Sequence, residues 1–172
     1  MKHLIVYTHP NPKSFCHAIL DTVVSTLSER GDDVVVTDLY EKNFSPALAA
    51  SDFIAFGKGE IPADILEEQE LVTQADNLIF IYPTWWFNRP AMLQGWIDRV
   101  FSRGFAFNAD DGFEALLSGK SCNLFVTYGG TEKDITAALG SIDAAMASMT
   151  VGTLGLVGID PIKPCYLFEV KM

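Results

Sequence analysis

The sequence predicts a doubly wound α/β fold: a single domain over residues 1–172, a three-layer sandwich with a five-stranded parallel sheet in the order 2-1-3-4-5. Three observations carry this. Short apolar runs alternate with helical spacing along the whole chain, as they do when each strand is followed by a crossover helix. The runs are continuous rather than alternating, which suits a parallel sheet covered on both faces. Right-handed crossovers make the doubly wound arrangement the natural solution, and five strands favour this order over the six-stranded dinucleotide arrangement.

Residues 3–8 (HLIVYT) form the first strand. The turn His9-Pro10-Asn11-Pro12-Lys13 follows, and Ser14 caps a helix. Its inner face is read as Ala18, Ile19, Thr22, Val23, Thr26 and Leu27, with Gly31 closing it. Residues 33–38 (DVVVTD) are the second strand. Residues 39–60, with two glycines and mixed signals, read as a long loop holding at most a helical turn. Residues 62–75 are a charged helix with Ile65, Leu66 and Val72 available for burial. Residues 78–82 are the third strand, too short for a helix of any length. Pro83 stops it, and Trp85, Trp86 and Phe87 follow at once. Asn88 is placed as an N-cap and Pro90 in the first turn of a helix, where its missing N–H costs nothing. Leu93, Trp96, Ile97, Val100 and Phe101 give that helix one buried face, and Gly104 ends it. Residues 108–119 are an acidic loop. Residues 121–128 are the fourth strand, broken by Gly129-Gly130-Thr131. Helical spacing returns at Ile135, Leu139, Ile142, Met146 and Met149 and runs on toward Val157, with Gly158 as its end. Residues 162–170 are the last strand.

Composition excludes several function classes. Nearly half of the chain, 49%, is hydrophobic, which argues against disorder. A net charge of −10, from 22 acids against 12 bases, makes nucleic acid and anionic membrane surfaces poor partners. No apolar run approaches the roughly 18 residues of a membrane span, so no membrane insertion is expected. The N-terminus, MKHLIVYTHP, does not read as a signal peptide. Cys16, Cys122 and Cys165 are odd in number and contain no CxxC, so reduced thiols and a cytoplasmic location are the natural reading.

Three loops leave the carboxyl ends of strands near the switch point of such a sheet, where ligands bind. The first, residues 9–16, ends at a helix N-terminus, a ready phosphate site; the Ser14 hydroxyl can donate, and Lys13 or His9 can add charge. It contains neither GxGxxG nor GxxxxGK[ST], so no dinucleotide fingerprint or NTPase loop supports it. The second, residues 83–87, carries three bulky rings in a row. They suit a flat ligand or a protein interface better than a core, because they cannot all face inward. In the third, residues 127–131, paired glycines let backbone N–H groups approach a ligand closely. His3, His9 and His17 do not make a metal set, since no Cys or acid completes them. Cys16 lies where a helix lowers a thiol pKa. No His stands in a partner motif, so it reads as a buried or cofactor-lining thiol.

These residues bring a family into view. On LIVYTHPNPKSFCHA, ADNLIFIYPTWWFNRPAMLQGWIDRVFSRGFAF and VTYGG, the chain resembles the flavodoxin-like NAD(P)H:quinone oxidoreductases. These include the DT-diaphorase type, general-stress quinone reductases and the ancillary reductases of glutathione-gated potassium efflux. The resemblance covers nearly the whole chain. It implies a bound flavin, NAD(P)H as electron donor, two-electron reduction of a quinone by a ping-pong mechanism, and a homodimer. FMN is expected over FAD, because no adenylate shelf is evident beyond Tyr40, Phe44, Phe53 and Phe56. His9, Ser14, Phe15 and Cys16 match the phosphate-side positions. Pro83, Thr84, Trp85, Trp86 and Phe87 match the ring-side loop. Thr127, Tyr128, Gly129 and Gly130 match the segment facing the flavin pyrimidine, and Tyr128, Gly129 and Gly130 are the residues expected to act in catalysis. Two departures stand out. Ile135 and Ser141 occupy the places of a Tyr and a His that relay charge in the DT-diaphorase type, and the helix that usually follows the last strand is expected to be missing. The alternative from another class is a flavin-bearing regulatory subunit touching a membrane efflux transporter. A one-electron carrier is disfavoured by the absence of a TxTGxT loop.

Overall fold

The chain runs β1 (Lys2–Tyr7), α1 (Phe15–Glu29), β2 (Asp33–Asp38), α2 (Ala50–Gly57), α3 (Ala63–Gln74), β3 (Asn77–Pro83), α4 (Ala91–Val100), β4 (Phe107–Asn108), β5 (Glu114–Ala115), β6 (Ser121–Thr127), α5 (Glu132–Leu139), α6 (Ile142–Met149) and β7 (Ile162–Leu167). This computed structural model describes residues 1–171. The five long strands form one sheet in the order β2-β1-β3-β6-β7, every neighbouring pair parallel. That is the expected 2-1-3-4-5 order once the small antiparallel β4–β5 pair is set aside.

β3 lies at the centre and is buried along its whole length, which is why its sequence is a continuous apolar run. On one face, Leu4, Val6, Phe80, Leu124 and Val126 meet Val72 of α3, Trp96 of α4 and Met146 of α6. On the other, α1 covers Ile5, Tyr7, Ile79 and Ile81 through Cys16, Ile19, Leu20 and Leu27. Beyond α1, the β6–β7 half of that face is only partly covered: Phe125 and Leu167 are partly buried and Cys165 is exposed.

Several elements differ from the sequence reading. The inward stripe of α1 contains Cys16 and Leu20, whereas Ala18, Thr22 and Thr26 face solvent. The two threonines satisfy their hydroxyls on the carbonyls four residues back, at 2.8 and 2.7 Å, so they need no burial. The expected loop 39–60 contains the full helix α2. It is anchored by Asp52, whose buried carboxylate meets the Arg99 guanidinium of α4 at 2.9 Å. The expected single helix after Gly130 is two, because Gly140 takes φ +89° and Ser141 caps α6 afresh. α6 then passes into a π-helical segment, Thr150–Gly155. The acidic loop 108–119 contains β5 and the end of β4, which pair antiparallel. Gly95 lets α4 lie against residue 46: a Cβ there would sit 1.9 Å from the Pro46 carbonyl oxygen. Among the described residues, no single helix is long and apolar enough to cross a membrane.

Candidate functional site

β1, β3 and β6 are side by side and parallel, so the loops leaving Tyr7, Pro83 and Thr127 emerge together at the carboxyl edge. Thr127 joins them. Its carbonyl oxygen accepts from the Thr84 N–H at 2.8 Å and the Thr84 hydroxyl at 3.0 Å. Its own hydroxyl lies 3.4 Å from Cys16 Sγ.

The first loop is folded by Asn11, whose Oδ1 accepts from the Lys13 N–H and whose carbonyl accepts from the Ser14 N–H. Ser14 caps α1 as the sequence suggests: its Oγ accepts from the His17 N–H at 3.2 Å. The Tyr7 hydroxyl stands 3.4 Å from the same oxygen. Phe15 is the first residue of α1 and about half exposed. The His9 ring meets Trp85 edge to face, with centroids 6.3 Å apart, and its Nδ1 accepts from the Asn11 N–H at 3.0 Å. Burial holds the His9 pKa below its ordinary value. Burial also pushes the Cys16 thiol up, and the buried side chain lines the loop base against Thr127.

The second loop is a two-residue hairpin turn. The Trp85 N–H donates to the Asn88 carbonyl at 2.9 Å, and the Asn88 N–H donates to the Trp85 carbonyl at 3.1 Å. Between them Trp86 and Phe87 take φ of 53° and 59°, the type I′ geometry that ordinarily uses Asn-Gly. Asn88 therefore closes the turn instead of capping α4, whose N-cap is Pro90. Trp85 is 39% exposed, Trp86 97% and Phe87 45%, so these rings do not build the core.

In the third loop Tyr128 turns inward. It stacks on Phe168 with centroids 5.5 Å apart, and burial pushes its phenol up to about 12. Gly129 and Gly130 are exposed, and among the described residues neither N–H has an acceptor within the chain. A Cβ at Gly129 would come no closer than 3.8 Å to the Val170 oxygen, so internal crowding does not require glycine here. The two glycines leave room outward. Ile135 is buried in the core and Ser141 caps α6 through the Ala144 N–H; both side chains have structural roles.

A flat aromatic turn, two free N–H groups and an open helix N-terminus fit a flavin: ring, pyrimidine edge and phosphate each meet a suitable donor or surface. The family described as flavodoxin-like fold matches residues 1–171. The chain belongs to the flavodoxin-like family of NAD(P)H:quinone oxidoreductases. It is 37% identical to the mouse ribosyldihydronicotinamide dehydrogenase [quinone], across 99% of this chain and 83% of that one. It is 40% identical to an NAD(P)H oxidoreductase of Haemophilus influenzae across 75% of this chain, a match spanning 65% of that protein. Among solved structures, the NAD(P)H:quinone oxidoreductase of Methanothermobacter marburgensis superposes with a TM-score of 0.88 at 32% identity, covering 98% of this chain and 87% of that one. General stress protein 14 of Treponema denticola, in complex with FMN, has a TM-score of 0.68 at 25% identity over 98% of this chain and 86% of that one.

Within the family frame, two residues escape motif reading. Tyr82 and Arg89 line a small hollow under the aromatic turn together with Thr84, Phe87, Met146 and Ser148. The Tyr82 hydroxyl is buried without a partner. Arg89 does carry a signal in the sequence: no acid lies within four residues of it on either side.

Proposed function

We propose that this chain is a flavin-dependent NAD(P)H:quinone oxidoreductase that performs two-electron hydride transfer by a ping-pong mechanism. The observation that carries the reading is the meeting of an outward aromatic turn, two free glycine N–H groups and an open helix N-terminus at one sheet edge. When bound, the flavin supplies the hydride chemistry, taking from NAD(P)H and giving to the quinone.

The chain binds and orients. The Ser14 hydroxyl and the Phe15 and Cys16 N–H groups at the start of α1 are offered to the phosphate, beside His9. Pro83, Thr84, Trp85, Trp86 and Phe87 wall the ring. Thr127 and Tyr128 are the rigid root from which Gly129 and Gly130 direct N–H groups at the side of the ring that gains negative charge. One face above the turn takes nicotinamide and quinone in succession, and the aromatic wall keeps water from the reacting atoms.

FMN is the flavin favoured here, supported by the FMN complex of the Treponema protein and by the commitment of Phe44 to burial under Arg99. A homodimer would cover Phe15 as well as the open β6–β7 face. The reduced cysteines suit the cytoplasm.

The test has two steps. Purified protein is denatured and the released chromophore run beside FMN and FAD. Oxidation of NADH, NADPH and ribosyldihydronicotinamide is then followed with and without menadione. Quinone-dependent oxidation with FMN release is expected. Failure to bind added flavin would overturn the reading, and flavin retained without transfer to any quinone would point to the potassium-efflux regulatory subunit instead.

A further inference from the structure

Of the four arginines in this acidic chain, three end on carboxylates: Arg30 on Asp32, Arg99 on Asp52 and Asp64, and Arg103 on Asp110. Arg89 does not. Among the described residues its half-buried guanidinium is held only by neutral atoms. Nε donates to Gln94 Oε1 at 2.5 Å, Nη1 approaches Ser148 Oγ at 3.4 Å and Met149 Sδ at 3.8 Å, and Nη2 approaches Thr153 Oγ1 at 3.5 Å. Asp98 is exposed and bonds to the far side of Gln94 at 2.5 Å rather than to the guanidinium.

A partly desolvated cation without a counterion is costly. With 22 acids against 12 bases, this chain has counterions to spare. The charge stands two residues beyond Phe87 and shares a hollow with Thr84, Phe87 and the unpartnered Tyr82 hydroxyl, at the foot of the aromatic turn.

We infer that Arg89 is a positioning cation that offsets the negative charge arriving at the ring bound over this turn, and so raises the two-electron potential of the bound flavin. The inference rests on the flavin reading above. A hydride from the dihydronicotinamide brings two electrons and one proton, so the ring gains one negative charge. The guanidinium stays protonated throughout and acts through its field, which a site shielded from water strengthens. Since Ile135 and Ser141 are otherwise employed, Arg89 adds a full positive charge to the partial ones that the Gly129 and Gly130 N–H groups supply.

The experiment compares wild type, Arg89→Gln, Arg89→Lys and Ser148→Asp, each loaded with FMN. The readouts are the affinity for oxidised FMN and the two-electron potential measured against a redox dye. Arg89→Gln is expected to lower the potential by about 30 mV, a tenfold loss of preference for the reduced form, with oxidised FMN held within about twofold. Arg89→Lys retains most of the potential. Ser148→Asp leaves Arg89 in place but gives it a counterion, and lowers the potential in the same direction even if Arg89→Gln does not fold. An unchanged potential in Ser148→Asp and Arg89→Gln would overturn the inference. So would equal losses in Arg89→Gln and Arg89→Lys, which would mark a role in geometry alone. Wild type that takes up no FMN would sink the flavin reading itself, before any variant is compared.

Discussion

Replacing Trp86 with Asn should make the protein more stable and a poorer flavin binder at once. Trp86 sits at φ 53° in a turn where Phe87 also has positive φ. A large L-residue in this region costs roughly 1–2 kcal/mol, a cost that Asn largely escapes. The compensating loss is small, because Trp86 is 97% exposed and buries almost nothing within the chain. The expected net gain is about 1 kcal/mol, or about 2–4 °C in Tm for a chain of this size. Asn also avoids the backbone entropy that Gly would add to the unfolded state. At the site, removing one aromatic wall should weaken flavin binding by up to about 1.4 kcal/mol, or tenfold. Thermal melts of flavin-free protein and fluorescence titration with FMN measure the two sides separately. A drop of several degrees in Tm would mean that Trp86 supports the fold. Unchanged FMN affinity would mean that the turn is not the ring wall.

Ser14→Asp keeps a good N-cap, so Tm should hold, while a carboxylate beside the phosphate site lowers FMN retention by about tenfold or more; the flavin-to-protein ratio after gel filtration decides this. Gly95→Ala forces a methyl to within 1.9 Å of the Pro46 oxygen and should cost roughly 1–3 kcal/mol in urea unfolding. The Arg99 hydrogen bond holds Asp52 below the usual carboxylate range. Its stabilisation is therefore complete above the ordinary value of about 3.9 and is lost as pH falls through the lower folded value. Asp52→Asn should cost about 3 kcal/mol at pH 7 and flatten that acid limb, as urea midpoints at pH 7 and pH 3 would show.

The sheet was readable from the chain because parallel strands buried on both faces appear as uninterrupted apolar runs, β3 above all. The three site loops followed from the strand ends. What stayed hidden lies where tertiary context overrides local preference. Nothing in Trp-Trp-Phe-Asn advertises a type I′ turn, since neither central residue favours positive φ; the turn exists because the sheet and α4 fix its ends. Thr22 and Thr26 fit a helical stripe by spacing, yet self-satisfied hydroxyls let them face water. α2 is short, exposes Phe53 and Ile54, and is anchored by the buried Asp52–Arg99 pair, forty-seven residues apart, which no local window can contain. Arg89 escapes motif reading because a charge beside an aromatic motif reads as a solvated flank.

Thr127 also sets the order in which the molecule can be completed. It joins loops that follow β1, β3 and β6, and those strands pair only across long stretches of chain: His3 with Asn77, and Leu78 with Cys122. Such pairings come late, because a long segment must be closed before any contact rewards it. The three loops are therefore expected to come together only once β1, β3 and β6 have paired. During refolding, helices α1 and α4 can gain circular dichroism while flavin fluorescence remains unquenched, and quenching marks the moment when β6 docks. On the proposed function, cofactor capture is reached only by molecules whose central sheet is already in register.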